Sequence, residues 1–512
     1  MATKNEKGVA LILTMILLVV LSVMAVSLLF MGQSETWSSM NYRMMTQTRY
    51  GAEAGIHKAT NFLQSTSYTS PTAAQIAANF DTTKSPLTYG GAPAVLSANS
   101  AIGSSNFPIS SDKTNFAANA TGSLTAGNTT VTYKPYAKLL AIQSFTAYPS
   151  TAPAVVEKWE ITSDGTISGV RNAQVRVSAI MERQKTAVFA YAAFADATGC
   201  GALNFGGGGT TNSYDSSTVT NAGTSSASVT TQTYGGNVGT NGNLDERGSS
   251  TVIYGSLSTP RAGTGSCSSS NVTALTLSGA VQPKQGLVEL PQNITYPNPD
   301  VPNPTPPQTA MTVANNNPDC TGIPSCSIIN GGADMQINAG GTQAGATLLG
   351  DLTVKGTLHL TPPLGTSAGS NVYININSLS TNAGAVIVID PIPGTTNQYA
   401  NIILNVAGTG STPITMNGNS NINNYSLNPA TFQILYAGTD QVTLNGGAAA
   451  AALLYAPNAT VKFAGNSDFY GAVIANQITD MGGAAIHYDR RLQSEFYGLG
   501  NYMLSSFNWQ KY

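Results

Sequence analysis

Charge is what this chain has least of. Asp, Glu, Lys and Arg make up 9% of its 512 residues and leave a net charge of −2, against roughly a quarter in ordinary soluble domains. No basic stripe is available to neutralise phosphates, so nucleic acid is excluded as a partner. Histidine is nearly missing: His57, His359 and His487 stand far apart. No CxxC pair accompanies them, and no Asp-rich loop of the EF-hand kind occurs, so neither zinc nor that calcium site is expected. No cofactor is expected. Disorder is excluded by the 42% hydrophobic content and by recurrent apolar strand patterns. What is abundant is glycine, 52 residues, together with Asn, Thr, Ser and Ala. That texture suits a surface or extracellular β-protein.

The longest uncharged run opens the chain. Val9 to Met31 spans about 23 apolar or small residues, enough for about 35 Å of helix and one bilayer crossing. Before it stands a short leader with Lys4 and Lys7, which the positive-inside tendency places in the cytoplasm. A secretory signal has a shorter core followed by a small-residue cleavage site, and that pattern is absent. The bland alternative is a plain membrane anchor.

Lys7-Gly8 placed before the uninterrupted apolar run resembles the class III signal of type IV prepilins. The resemblance implies that a prepilin peptidase cuts between Gly8 and Val9. It also implies that Val9 is N-methylated and that the released helix packs in a filament core. Most major pilins carry glutamate at the fifth mature position; here it is Leu13. A lone buried carboxylate is costly unless paired, so its absence removes both a cost and an assembly contact. Prepilins lacking it are typically minor, which argues against a bulk subunit.

The helix is expected to run on to about residue 63, with Trp37, Met40, Met44, Thr48, Ala52, Ile56, Ala59 and Leu63 on one stripe. Gly51-Ala52-Glu53-Ala54-Gly55 gathers small residues that let a helix or sheet approach closely. Its Ala52-Glu53-Ala54-Gly55 also resembles the motif closing the N-terminal region of PilX-type minor pilins. From residue 65 to about 151 few elements can be placed. Two alternating strands follow, near 155–162 and 172–180, with a turn at Asp164-Gly165. Laid on the helix, they would form a small α/β head.

Beyond about residue 191 short apolar groups, Leu275 and Leu277 among them, alternate with Gly, Ser and Asn turns. The pattern breaks at a proline-rich stretch, 291–307, read as a loop rather than a linker. It resumes through Leu348, Ile374, Ile387, Leu404, Ile434, Leu454 and Ile474. The expected class is α+β, mainly β. It comprises a leader (1–8), a membrane and stalk helix (9–64), a pilin-like head (65–195) and a solenoid (196–512). The solenoid is expected to be a right-handed parallel β-helix, with asparagines stacked at its turns and a β-sandwich as alternative. The stretch from Ala464 to Leu492 resembles the C-terminal β-domain of some large PilX-like proteins. The aromatic end, from Phe496 to Tyr512, is expected to cap the solenoid.

Four cysteines permit three connectivities. Cys320 and Cys326 enclose a turn-rich loop and form the favoured pair on loop geometry, leaving Cys200 with Cys267. Catalytic patterns are weak. Asp334, Asp351, Asp390, Asp440, Asp468, Asp480 and Asp489 are single and separated, so nothing marks a glycosidase pair. His359 lies between two leucines of a strand and reads as structural. His487 beside Asp489 and Arg490 draws more interest but still reads as a cap. Gly365-Thr366-Ser367-Ala368-Gly369 has the nucleophile-elbow spacing, but prolines precede it and a strand follows, so it reads as a turn. Gly206 to Gly209 opens no helix and is no phosphate loop.

These readings imply a non-enzymatic minor pilin or pilus-assembly protein. Its helix would sit in the inner membrane or filament core, its β-domain periplasmic and, after assembly, on the cell surface for adhesion. Implied partners are other pilins, pilus-assembly proteins, the prepilin peptidase, the membrane and a surface glycan or host ligand. A membrane-anchored periplasmic carbohydrate-active enzyme and a type II secretion pseudopilin are the alternatives.

Overall fold

The computed structural model describes residues 6–126, 129–150, 153–169, 172–246, 250–261, 267, 271–272, 283–409, 412–445, 450–465, 468–481 and 483–511. Residues 1–5 of the leader, Leu275, Leu277 and Tyr512 lie outside them. The chain divides into two units. The first holds residues 1–146, 152–186 and 499–512, the second residues 147–151 and 187–498.

The first unit is built on helix α1 (Glu6–Gln64). Of the predicted stripe, Thr48, Ala52, Ile56, Ala59 and Leu63 are buried, whereas Trp37 and Met40 are exposed. The buried half packs on a sheet of β1 (Val95–Ser97), β2 (Gly122–Ala126), β3 (Thr129–Thr146), β4 (Pro153–Ile167) and β5 (Ala173–Ala187), closed by the C-terminal strand Tyr497–Lys511. The order is β1-β3-β4-β5-C-terminal strand, with β2 added to β3. Strand β3 was not legible in the sequence. Pro135 and a register shift between Leu139 and Ala141 interrupt its alternation.

The turn expected at Asp164-Gly165 is a correction. Strand β4 runs straight through it, and Asp164 sits opposite Arg176 of β5. The Arg176 guanidinium donates to both Asp164 oxygens, Nε to Oδ1 at 2.7 Å and Nη2 to Oδ2 at 2.9 Å. Gly165 serves close approach instead. A Cβ there would collide with the Thr48 carbonyl oxygen and lie 2.8 Å from the Ala52 nitrogen. On the helix side, side chains at Gly51 and Gly55 would meet Val131 and Ser163. The Gly165→Ala variant is therefore expected to lose about 2 kcal/mol of stability, as overpacking against rigid backbone does. A lowered urea midpoint by circular dichroism, with the m-value unchanged, is the check.

The second unit is inserted between β5 and the C-terminal strand, which are neighbours in one sheet. Its strands pair almost entirely in parallel, unlike those of an antiparallel sandwich. One ladder stacks Thr347–Val354, Asn371–Thr381, Asn401–Val406, Phe432–Tyr436, Ala450–Ala464 and Asp468–Met481. A second sheet stacks β6 (Cys326–Ile329), β7 (Asp334–Asn338), β8 (Thr357–Thr361), β9 (Val386–Ile389) and β10 (Asn421–Asn424), all parallel except β6 with β7. Apolar rows such as Met335, Leu358, Ile387 and Ile422 are buried between the ladders. Asparagines stack, but within strands rather than at turns: Asn405 donates to Asn375 at 2.8 Å, both buried.

The order of stacking is not the order of the chain. Ala193–Ala195, where the unit begins, pairs with residues 473–475 near its end. Val238–Thr240, Leu257–Thr259 and Leu287–Glu289 then extend the stack away from that junction. The proline-rich stretch returns the chain to the far end as a strap along these strands. Asn241 Nδ2 donates to the Ile294 carbonyl, Tyr296 packs on Phe194, Tyr455 Oη donates to the Pro297 carbonyl and Asn375 to that of Pro304. Extended proline conformation without ladder partners suits such a strap.

The expected aromatic cap is overturned. Tyr497–Lys511 leaves the β unit and joins the first sheet beside β5, so the unit boundaries fall at 186/187 and 498/499 rather than at 195/196. Hydrogen bonding in a sheet already formed by β3 to β5 decides its place, which local aromatic content could not show.

Candidate functional site

Two regions carry functional chemistry, and the first is the start of α1. One helix among the described residues is long and apolar enough to cross a membrane, with a most apolar window of mean hydropathy 3.0. Its apolar side chains have no cover: Val9 is 61% and Leu13 64% exposed, and the pattern continues to Met31. Polar groups inside the run are neutralised locally. Thr14 donates to the Leu11 carbonyl at 2.8 Å and Ser22 to that of Leu18 at 2.7 Å, which is how hydroxyls are tolerated in an apolar surround. Gly8 and Val9 both lie within the helix. Leu13 lies within the uncovered apolar run.

The second region is on the β unit. His359 of β8 stands between two carboxylates from neighbouring strands, Asp334 of β7 and Asp390 just beyond β9. Its Nδ1 lies 2.8 Å from Asp390 Oδ1 and its Nε2 3.7 Å from Asp334 Oδ2. Thr361 donates to the other Asp390 oxygen at 2.6 Å. Burial pulls the imidazole pKa down, but the hydrogen bond and charge of Asp390, aided by Asp334, outweigh it and leave it raised. Sequence reasoning set His359 aside as structural. Spacing across turns of the stack brings residues 334, 359 and 390 together, and it shows only once the parallel register is known.

His487 lies elsewhere on the unit. Its ring stacks on Tyr470 at 4.4 Å, with Nδ1 2.6 Å from Asn212 Oδ1 and Nε2 3.4 Å from Asp468 Oδ1. The hydrogen bond from His487 holds the Asp468 carboxyl below its usual pKa. Asp489 is not its partner; that side chain accepts from the Ser216 and Arg491 amides and caps the short helical turn Arg490–Ser494. The residues 365–369 form an exposed turn with Gly365 and Gly369 at positive φ, followed by strand rather than helix. Sulfur–sulfur bonds join Cys320 to Cys326 and Cys200 to Cys267, with Cα atoms 5.5 and 5.4 Å apart. No group of three or more metal-ligating side chains occurs among the described residues.

Comparison with known proteins bears on the first region. A family model described as PilX N-terminal matches residues 7–57, the stretch that holds Lys7-Gly8, the apolar run and the glycine pair facing the sheet. The N-terminal segment is type IV pilin-like. The pilin-like helix thus has an exposed apolar half and a buried half that carries a folded unit. A second model, a domain of unknown function (DUF7305), matches residues 384–495 of the β unit. No curated protein matches the chain. Among solved structures, the competence-associated pilin ComZ from Thermus thermophilus aligns over 91% of this chain and 98% of its own, at 12% identity and a TM-score of 0.27.

Proposed function

We propose that this chain is a minor pilin or pilus-assembly protein of a type IV pilus system, without enzymatic activity. The observation that carries the reading is the uncovered apolar half of α1 behind Lys7-Gly8, within the PilX N-terminal match. An apolar helix face of this length is stable only in lipid or against other apolar helices. In this reading the helix waits in the inner membrane with the β unit periplasmic. A prepilin peptidase releases it at Gly8, Val9 is methylated, and the helix enters a filament beside other pilins. Leu13 supports a minor place, since the helix brings no carboxylate to pair with a neighbour's amine.

The β unit, in this reading, is a right-handed parallel β-helix displayed for adhesion. Its parallel ladders and inward Ile, Leu and Val rows support that architecture. Its surface carries few charges, as suits contact with a neutral partner.

N-terminal peptide mass tests the reading. Protein from sheared filaments is expected to begin at N-methylated Val9, and Gly8→Val is expected to keep the leader and leave the filament fraction. An intact Met1 leader in wild-type protein confined to membranes would sink the proposal and favour a plain anchor.

A further inference from the structure

The second sheet ends in an edge hairpin whose tip is tied to β8 through side chains. Strand β6 is the outermost strand of that sheet, and the tip joining it to β7 is exposed from Asn330 to Ala333. Asn330, Gly331 and Gly332 all take positive φ, and a Cβ built on either glycine would meet nothing within 4 Å. Pairing of β7 with β8 begins at Met335 opposite Leu358, so the ladder stops short of the tip. Asp334 spans the gap. Its Oδ2 accepts from Asn330 Nδ2 across the tip and faces His359 Nε2 of β8 at 3.7 Å.

The hydrogen on Nε2 decides the sign of that contact. Asp390 Oδ1 lies 2.8 Å from Nδ1, and an ionised carboxylate only accepts, so Nδ1 carries a hydrogen in either charge state of the ring. The proton the ring can lose is therefore the one on Nε2. With it, a cation faces the Asp334 carboxylate; without it, a lone pair does. The titratable groups facing the ring are Asp334 from β7 and Asp390 from the segment after β9. Its neighbours in the ladder, Gln336 and Val388, are neutral.

We propose that His359 is a proton-operated clasp. As the imidazolium it holds the hairpin tip to the stack through Asp334, and as the neutral ring it releases the tip. The two carboxylates raise the imidazole pKa above its usual 6.5, more than burial lowers it. A histidine raised on folding contributes stability that is full below its unfolded pKa and is lost as pH rises through the folded value. The tip is thus held in mildly acidic medium and loosened in alkaline medium. The clasp is a property of the β unit alone and does not rest on the pilin reading.

Hydrogen exchange of the full chain in detergent tests it, read on peptides spanning residues 326–338 and corrected for the intrinsic pH dependence of exchange. Protection of the tip amides is expected to fall about fivefold between about pH 6 and pH 9, the upper worth of a partly shielded ion pair. His359→Gln is expected to hold the alkaline level of wild type throughout, with protection of the β8 and β9 core amides unchanged. His487→Gln is expected to keep the step. The wild-type His359 ring, titrated by NMR, is expected to have its midpoint above 6.5, a reading that needs no variant to fold. Tip protection in wild type that ignores pH, or rises with it, overturns the clasp. So does a step that survives in His359→Gln or vanishes in His487→Gln, and so does a ring midpoint below 6.5.

Discussion

Trp159→Ala is expected to cost the first unit about 3–5 kcal/mol, the range for removing a large aromatic from a packed core. The indole is fully buried, with ring centroids 5.7 Å from Phe107 and 6.2 Å from Tyr68. It is also one of the groups that hold a buried carboxylate. Trp159 Nε1 donates to Glu157 Oε2 and Tyr68 Oη to Glu157 Oε1, each at 2.9 Å. Removing the indole therefore opens a cavity and strips a donor from Glu157, which is only 4% exposed. Hydrogen exchange of the β3–β4 amides in the full chain reads the loss, and wild-type protection in the variant would refute it.

The same network gives a pH dependence. Burial raises the Glu157 pKa above its usual 4.5, more than the hydrogen bonds from Trp159 and Tyr68 lower it. A carboxyl raised on folding contributes stability that is fully present below its unfolded pKa. That contribution is lost as pH rises through the folded value. Glu157→Gln keeps the shape without the titration, so its stability is expected to fall less than wild type's above pH 4.5.

Replacing both Cys200 and Cys267 by serine is expected to lower the stability of the second unit by about 4 kcal/mol. The cross-link closes a sequence separation of 67, and in the chain-entropy model the benefit grows with the logarithm of loop length. The Cys320–Cys326 pair spans a separation of 6, for which the same relation gives about 2 kcal/mol. Thermal melts of the two double variants, each against oxidised wild type, separate the contributions. Equal losses from the two pairs would show that chain entropy is not the main term.

Local patterns carried the first 64 residues. An uncharged run of membrane length, small residues spaced for close approach and a stripe of period 3.6 all act within one helix, where neighbours in sequence are neighbours in space. Strand content beyond residue 151 was legible for the same reason, since alternation and glycine turns are local. The sequence by itself thus determined the apolar helix, its buried lower face and a mainly β remainder. Only the tertiary structure decided which strands meet. It carried β4 through Asp164-Gly165, because a helix lies against that glycine and Arg176 lies across from that aspartate. It sent Tyr497–Lys511 back to the first sheet, and it began the second unit's stack beside its end. It also set Asp334, His359 and Asp390 on one face. Parallel pairing joins residues tens of positions apart, and no local signal fixes which turn of the chain lies beside which.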